Sequence, residues 1–223
     1  MSDNTYHVQV MCPSCGRKST YTMKTLIDTG VDPYAEKKLF SGELFQYICP
    51  FCHQPQDISY SCLYHDHARK VLIGYADSEK DEAEMRLNLN GSYHRDQLDE
   101  VLKDWSSTCT KRLVTSISDL QEKVLIFHFN LDDRLIEIAK YLTRMIAEEQ
   151  QPELQFDTLY FNHGEEGYSF LAVNEDGSAG EIPFSKENYL LLERKYSQAL
   201  LAVNNLTIDE AWAQTFLRQS DAA

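Results

Sequence analysis

The alternation of apolar and polar positions predicts that strands dominate the first third of the chain. A period of two residues predicts five strands, at 6–10, 19–23, 44–48, 58–64 and 70–75. Between the second and third of these, Asp32 and Pro33 predict a short helix that ends near Ser41 and Gly42. Aspartate caps a helix, and proline fits its first position because no N–H is needed there.

Helical periodicity follows in the middle of the chain. Residues 77–86 are charged and predict either a helix or a loose segment, whereas the amphipathic pattern of 96–105 predicts a short helix. Ser118 and Gln121 fit a capping box that opens the next helix. Asn130 or Asp132 caps a longer helix with one apolar face, which ends before Pro152. A domain boundary is therefore predicted near residue 150.

The last part of the chain mixes both periods. Strands are predicted at 156–161, 168–173 and 181–184, a helix from Ser185, and a final helix from the capping box at 207–210. Because this segment has its own strands and capped helices, we expect 151–223 to be a C-terminal α/β extension. We also expect it to pack on the helices before it.

Two cysteine pairs with the same spacing carry the chemistry of the sequence: Cys12-Pro-Ser-Cys15 and Cys49-Pro-Phe-Cys52. A C-x₂-C turn directs two thiolates at one metal, and four thiolates match the tetrahedral preference of Zn²⁺. Gly16 provides the left-handed residue that closes such a turn. The prediction is one structural Zn²⁺ held by Cys12, Cys15, Cys49 and Cys52.

These features together predict an α+β protein. Residues 1–150 would form one domain, with a zinc ribbon at 7–62 interrupted by a helical insertion and followed by helices. Three alternatives to structural zinc stay open: a rubredoxin-like iron site, a thiol–disulfide redox pair, and a catalytic zinc. A redox pair needs a cysteine at a helix N-terminus, and a catalytic zinc needs an open position that four thiolates do not leave.

Other polar groups have structural interpretations. His65 and Asp66 are adjacent in a strand or turn, so their side chains point apart, and we expect Asp66 to accept backbone N–H bonds. Asp132 and Asp133, with Arg134 and Glu137, fit a helix start that complements the helix dipole, and a polar network with Glu122 and Lys123 is expected. The remaining cysteines, Cys62 and Cys109, are expected to stay thiols, with Cys62 buried or a spare ligand.

Charge narrows the classes of partner. The formal net charge is −14, with a balanced 1–70 and an acidic 71–223. An acidic surface repels a phosphate backbone, so nucleic-acid binding is not favoured. The sequence contains no run of 18 apolar residues, so no membrane span is predicted. The N-terminus lacks the pattern of a signal peptide, and a cytoplasmic location is therefore expected.

Several segments together resemble the CpXC family, bacterial and archaeal proteins named for paired CPxC turns. Besides the cysteines, the resemblance rests on Asp32-Pro33 with 39–45 (LFSGELF), 63–66 (LYHD), 112–114 with 120–123, and 131–137 (LDDRLIE), and covers about 7–145. His53 stands where a glycine is more usual, which predicts a different closure of the second turn. The resemblance implies the domain and the cysteine ligands, but no activity.

The leading functional hypothesis is a zinc-stapled scaffold that binds another protein. Two alternatives are a nucleic-acid-binding ribbon, which a basic cluster around Arg17, Lys18, Lys24, Lys37 and Lys38 would favour, and an enzyme with a cleft between ribbon and helices. No phosphate-binding loop, dinucleotide fingerprint or nucleophile elbow is present in the sequence.

Overall fold

The structure, a computed structural model, describes residues 5–91, 107–150 and 156–220. The chain forms two compact units, Met1–Gln121 and Glu122–Ala223. Helices and sheets occur in the chain together, so the α+β class is confirmed. The limit between these units lies between Gln121 and Glu122. The domain boundary expected near residue 150 is a different division of the chain and stays a prediction. The amphipathic helix predicted at 96–105 lies outside the described residues.

Two short hairpins carry the cysteine pairs of the first unit. Strands β1 (Thr5–Met11) and β2 (Lys18–Lys24) pair antiparallel, as do β4 (Gln46–Ile48) and β5 (Pro55–Asp57). The strand predicted at 44–48 begins late, because a 3₁₀ turn (Glu43–Phe45) precedes β4. Leu44 and Phe45 are both buried. Adjacent residues of a strand face opposite sides, so a helical turn is the conformation that places both in the core.

A separate four-stranded sheet forms the core of the first unit. Its order is β3 (Leu26–Asp28), β6 (Cys62–Asp66), β7 (Val71–Tyr75) and β8 (Thr110–Val114). The β3–β6 and β7–β8 pairs are parallel, and β6–β7 is an antiparallel hairpin. Every residue of β6 and β7 is buried, as expected for strands covered on both faces. These strands therefore do not extend the cysteine hairpins, and Thr25 alone separates β2 from β3.

Helices α1 (Ala35–Phe40) and α2 (Glu79–Leu89) lie in the described part of the first unit. The Asp32 carboxylate accepts the Tyr34 N–H at 3.0 Å, which makes a turn before α1 rather than its N-cap. Ser78 caps α2. This helix lies close to β7: a Cβ added at Gly74 would be 2.5 Å from the Cγ of Met85.

The second unit combines helices with a three-stranded antiparallel sheet. Helix α3 (Ile117–His128) starts in the first unit and continues into the second, followed by α4 (Asp133–Gln150). The sheet has the order β11 (Ala179–Pro183), β10 (Gly167–Val173), β9 (Thr158–Gly164). Helices α5 (Lys186–Leu200) and α6 (Glu210–Ser220) complete the unit. The predicted strands and both C-terminal helices are confirmed.

Helix α4 organises the packing of this unit. It contacts β9, α5 and α6, so the residues described after 150 pack on the preceding helix, as expected. The fully buried side chains of this unit include Ile136 and Ile138 of α4, Phe170 of β10 and Leu200 of α5. The cap of α3 is Ser116 rather than Ser118, because the Ser116 hydroxyl accepts the Asp119 N–H at 3.0 Å. Asp132 accepts the Arg134 N–H at the start of α4, as predicted.

A buried ionic network joins α3 and α4, as expected from the sequence. Its members are Glu122, Lys123, Asp133, Glu137 and Lys140. The Lys123 ammonium lies 2.8 Å from Glu137, and the Lys140 ammonium lies 3.0 Å from Glu122. Glu122 also accepts the Phe161 N–H of β9. The network is therefore hydrogen-bonded on several sides, which is what burial of charge requires.

None of the described helices combines the length and the apolar composition needed to cross a membrane.

Candidate metal centre

The first cysteine pair lies in the turn between β1 and β2. The Gly16 N–H donates to the Cys12 carbonyl at 2.8 Å, and the Cys12 N–H donates to the Arg17 carbonyl at 2.9 Å. Gly16 has φ of 69°, the left-handed conformation predicted for it. The turn thus bends tightly and directs both thiols to the same side.

The second pair lies between β4 and β5 and repeats this turn. The His53 N–H donates to the Cys49 carbonyl at 2.9 Å, and the Cys49 N–H donates to the Gln54 carbonyl at 3.1 Å. His53 has φ of 58°, within about ten degrees of Gly16. The expectation that histidine would make this turn close differently is therefore wrong. The hydrogen bonds of the turn impose the left-handed conformation on a residue with a side chain.

The two turns bring the four sulfur atoms together. The Sγ atoms of Cys12 and Cys52 are 3.6 Å apart, and those of Cys15 and Cys49 are 3.7 Å apart. All four sulfurs lie within 4.8 Å of one another. Zn–S bonds of about 2.3 Å in a tetrahedron place sulfurs about 3.8 Å apart. The sulfur cluster can therefore hold one metal ion in a tetrahedral environment.

The thiols of the cluster differ in pKa, because a negative charge on one sulfur opposes ionisation of its neighbours. Burial opposes ionisation of Cys49, but N–H groups of Cys52 and Phe51 donate to its sulfur and lower its pKa to about 6. Burial likewise opposes ionisation of Cys12, whose pKa the N–H groups of Cys15 and Ser14 lower. The Gln54 N–H lowers the pKa of Cys52, but burial and the neighbouring sulfurs raise it to about 12.

These opposing shifts describe a group of thiols of which only some are stabilised as thiolates. Backbone N–H groups stabilise the first negative charges, and each further thiolate is repelled by those already present. A bound cation removes this repulsion and is the group that the donor set fits.

The cluster has an aromatic and polar surround. Tyr47 packs with the buried Cys12 and Cys49, and its ring meets Tyr21 edge-on at 6.0 Å between centroids. Gln56 of β5 donates from its side-chain amide to the Cys12 sulfur at 3.0 Å. Sequence reasoning did not identify Gln56. Its position in the strand that leaves the second turn was the available signal.

Three apolar side chains in or beside the two turns are exposed. Met11, Ile48 and Phe51 are exposed by 62%, 59% and 48%, respectively. The Arg17 guanidinium of the first turn lies 5.1 Å from the centre of the Phe51 ring of the second, a cation–π contact. We name Met11, Ile48 and Phe51 the knuckle face.

The other polar residues considered from the sequence lie outside the sulfur cluster. The Asp66 carboxylate accepts the Arg69 N–H at 2.9 Å, as expected for a turn. Arg134 pairs with Asp132 at 2.7 Å. Cys62 is a buried thiol whose pKa burial raises to about 12, and Cys109 is also a thiol. Neither belongs to the cluster of four.

The comparison with protein families matches residues 10–140 to the CpXC protein family. The chain belongs to the CpXC family. The match contains both cysteine turns and the paired residues of the buried ionic network up to Lys140. It thereby confirms the resemblance found in the sequence. Comparisons with curated proteins and with solved structures gave no match.

Proposed function

We propose that Cys12, Cys15, Cys49 and Cys52 bind one structural Zn²⁺, which makes the two hairpins a zinc ribbon. The observation that carries the proposal is the meeting of four sulfurs from two hairpins at the spacing of a ZnS₄ tetrahedron. Four protein ligands exhaust the coordination, so the ion would stabilise the fold and leave no position for a substrate.

The size of the hairpins supports a structural role for the ion. The second hairpin has only three residues in each strand. A two-stranded hairpin is marginally stable in water by itself, and each of the two cysteine hairpins forms a sheet of only two strands. Metal binding would supply folding free energy, on the order of 10 kcal/mol by analogy with zinc-finger peptides.

We further propose that the ribbon binds another protein, in the cytoplasm, through the knuckle face. Exposed apolar side chains grouped around a rigid turn are typical of protein contacts. The formal net charge of −14 disfavours a nucleic-acid partner. The metal would hold Met11, Ile48 and Phe51 in a fixed arrangement, which lowers the entropic cost of binding.

Elemental analysis of the protein, purified without added metal, tests the zinc proposal. We expect about one equivalent of zinc per chain. Serine at Cys12 or Cys49 should lower zinc retention and loosen residues 7–62, as followed by hydrogen exchange. Serine at Cys62 or Cys109 is the matched control and should retain the ion. Less than about half an equivalent of zinc, or stoichiometric iron with a red colour, would contradict the proposal.

Two measurements test the partner proposal. Tagged protein isolated from its host should retain a specific protein, and the double variant Ile48→Ser with Phe51→Ser should lose that protein while it retains zinc. Duplex DNA and RNA should show no submicromolar binding at physiological salt. Submicromolar binding that weakens steeply with salt would replace the protein partner by a nucleic acid.

A further inference from the structure

A second group of metal-ligating side chains lies in the first unit, outside the cysteine cluster. The parallel pairing of β3 with β6 places Asp28 directly beside His65. His67 follows two residues later, in the turn after β6. One ligand atom from each of Asp28, His65 and His67 lies within 4.8 Å of the other two. We propose that these three residues form a second metal site, for a divalent ion of the zinc class.

The donor spacing agrees with this assignment. His65 Nδ1 and Asp28 Oδ1 are 3.4 Å apart. Metal bonds of about 2.1 Å to nitrogen and oxygen place neighbouring donors of a tetrahedral site about 3.4 Å apart. His67 is exposed, so its ring can rotate to complete the set.

Hydrogen bonds hold the ligands in place. The Gly30 N–H donates to Asp28 Oδ1 at 2.7 Å, the Thr29 N–H donates to the His65 carbonyl at 3.0 Å, and the His67 N–H donates to Thr29 Oγ1 at 3.0 Å. A Cβ at Gly30 would lie 3.1 Å from Asp28 Oδ1 and 3.3 Å from the Cβ of His67. Glycine therefore lets the loop after β3 approach both ligands closely.

The other nitrogen of His65 lies near a sulfur atom. Its Nε2 lies 3.8 Å from the Cys109 sulfur. An Nε2–H directed at this sulfur leaves the lone pair of Nδ1 for a metal. Ligating histidines are commonly oriented in this way by a group that interacts with the second ring nitrogen.

The donor set defines the kind of ion and its environment. Two imidazoles and one carboxylate suit Zn²⁺, Co²⁺, Ni²⁺ or Fe²⁺, whereas Ca²⁺ and Mg²⁺ prefer oxygen ligands alone. Three protein ligands leave at least one position for water or an anion. The second site would thus be open, in contrast to the closed cysteine cluster.

The test is a zinc titration of the full chain after its cysteine cluster has been filled with Zn²⁺ and loosely bound metal has been removed. Isothermal titration calorimetry should show a further equivalent of zinc. Nitrogen chemical shifts should move for the rings of His65 and His67, and not for the other five of the seven histidines.

Two variants and a control identify the ligands. Asp28→Asn keeps an oxygen that can accept the Gly30 N–H, and His67→Gln alters an exposed side chain, so both should fold as judged by circular dichroism. Each variant should lower the affinity for the second equivalent of zinc at least ten-fold. His7→Gln changes a histidine of β1 that does not belong to the group of three, so it is the control and should bind as the unmodified chain does.

The outcomes separate the two metal proposals. Cys12→Ser should lower the zinc content of the cysteine cluster, whereas Asp28→Asn should weaken only the second equivalent and leave the zinc of the cysteine cluster in place. The proposal of a second site is wrong if the unmodified chain takes up no further zinc below millimolar concentration, or if His67→Gln binds it as tightly as the unmodified chain.

Discussion

Replacing His53 by glycine should stabilise the second cysteine turn. His53 is exposed and has φ of 58°. A left-handed conformation costs a residue with a Cβ about 1–2 kcal/mol. Glycine removes this cost, but its greater freedom in the unfolded chain offsets about 0.5–1 kcal/mol of the gain. The expected net stabilisation of the turn is about 0.5–1 kcal/mol.

The first turn provides the reverse experiment. Gly16 has φ of 69°, and a Cβ added there would meet no atom within 4 Å. Gly16→Ala therefore introduces backbone strain without a steric clash. It should destabilise the first turn by about 1 kcal/mol, from the same two opposing contributions.

Native-state hydrogen exchange, measured at saturating zinc, detects both changes locally. A free energy of 1.4 kcal/mol corresponds to a factor of ten. In His53→Gly, exchange in β4 and β5 should slow about two- to five-fold. In Gly16→Ala, exchange in β1 and β2 should accelerate about five-fold. Exchange in helix α4, in the other compact unit, is the internal reference and should not change.

The variant His53→Ala separates strain from loss of the imidazole. Alanine retains a Cβ, so exchange in β4 and β5 should stay close to that of the unmodified chain. If His53→Ala and His53→Gly slowed exchange equally, the gain would come from removal of the histidine ring. The reasoning from the backbone conformation would then be refuted.

Three further predictions concern packing inside each of the two units. Glu137→Gln should destabilise the second unit by about 3–5 kcal/mol, because it removes the carboxylate that pairs with two buried lysines, Lys123 and Lys140. Burial raises the pKa of Glu137, but the two lysines lower it more, so that it lies below its usual value in the folded protein. The stability that ionised Glu137 contributes is therefore lost as the pH falls through this folded pKa. Acid unfolding should depend less on pH in Glu137→Gln than in the unmodified chain. Gly74→Ala should cost about 1–3 kcal/mol in urea unfolding, and Met85→Ala in the same chain should cancel part of that cost. Tyr64→Phe should leave the first unit equally or more stable to urea, since the buried Tyr64 hydroxyl has no hydrogen-bond partner within the described residues.

The cysteine cluster could be predicted because its signal is local. A C-x₂-C turn sets the direction of two thiols within four residues, and two such turns need only to meet. The ionic network between α3 and α4 was also expected, since Glu122 and Lys123 precede a helix that starts with acidic residues. The caps were less certain: Ser116 and Ser118 are both serines near the start of α3, and the pattern alone favoured the wrong one.

The pairing of Asp28 with His65 could not be predicted in this way. It depends on a parallel register between β3, which has three residues, and β6, which follows much later in the chain. A strand of this length carries too few side chains to fix a register by its pattern. The same limit applies to β6 and β7, because their pattern predicts two strands but not the sheet that they form with β3 and β8.

A single residue, Thr25, links β2 of the cysteine hairpin to β3 of the four-stranded sheet. The Thr25 carbonyl accepts the Leu63 N–H of β6 at 2.8 Å, so the hydrogen-bonded ladder of the four-stranded sheet begins immediately after the hairpin ends. A twist of the cysteine hairpin would be transmitted to β3 without a flexible joint to absorb it. Asp28, at the far end of β3, would then respond to the metal state of sulfurs in a different sheet. We expect chelation of the cysteine-bound ion to accelerate hydrogen exchange in β3 before it affects β7.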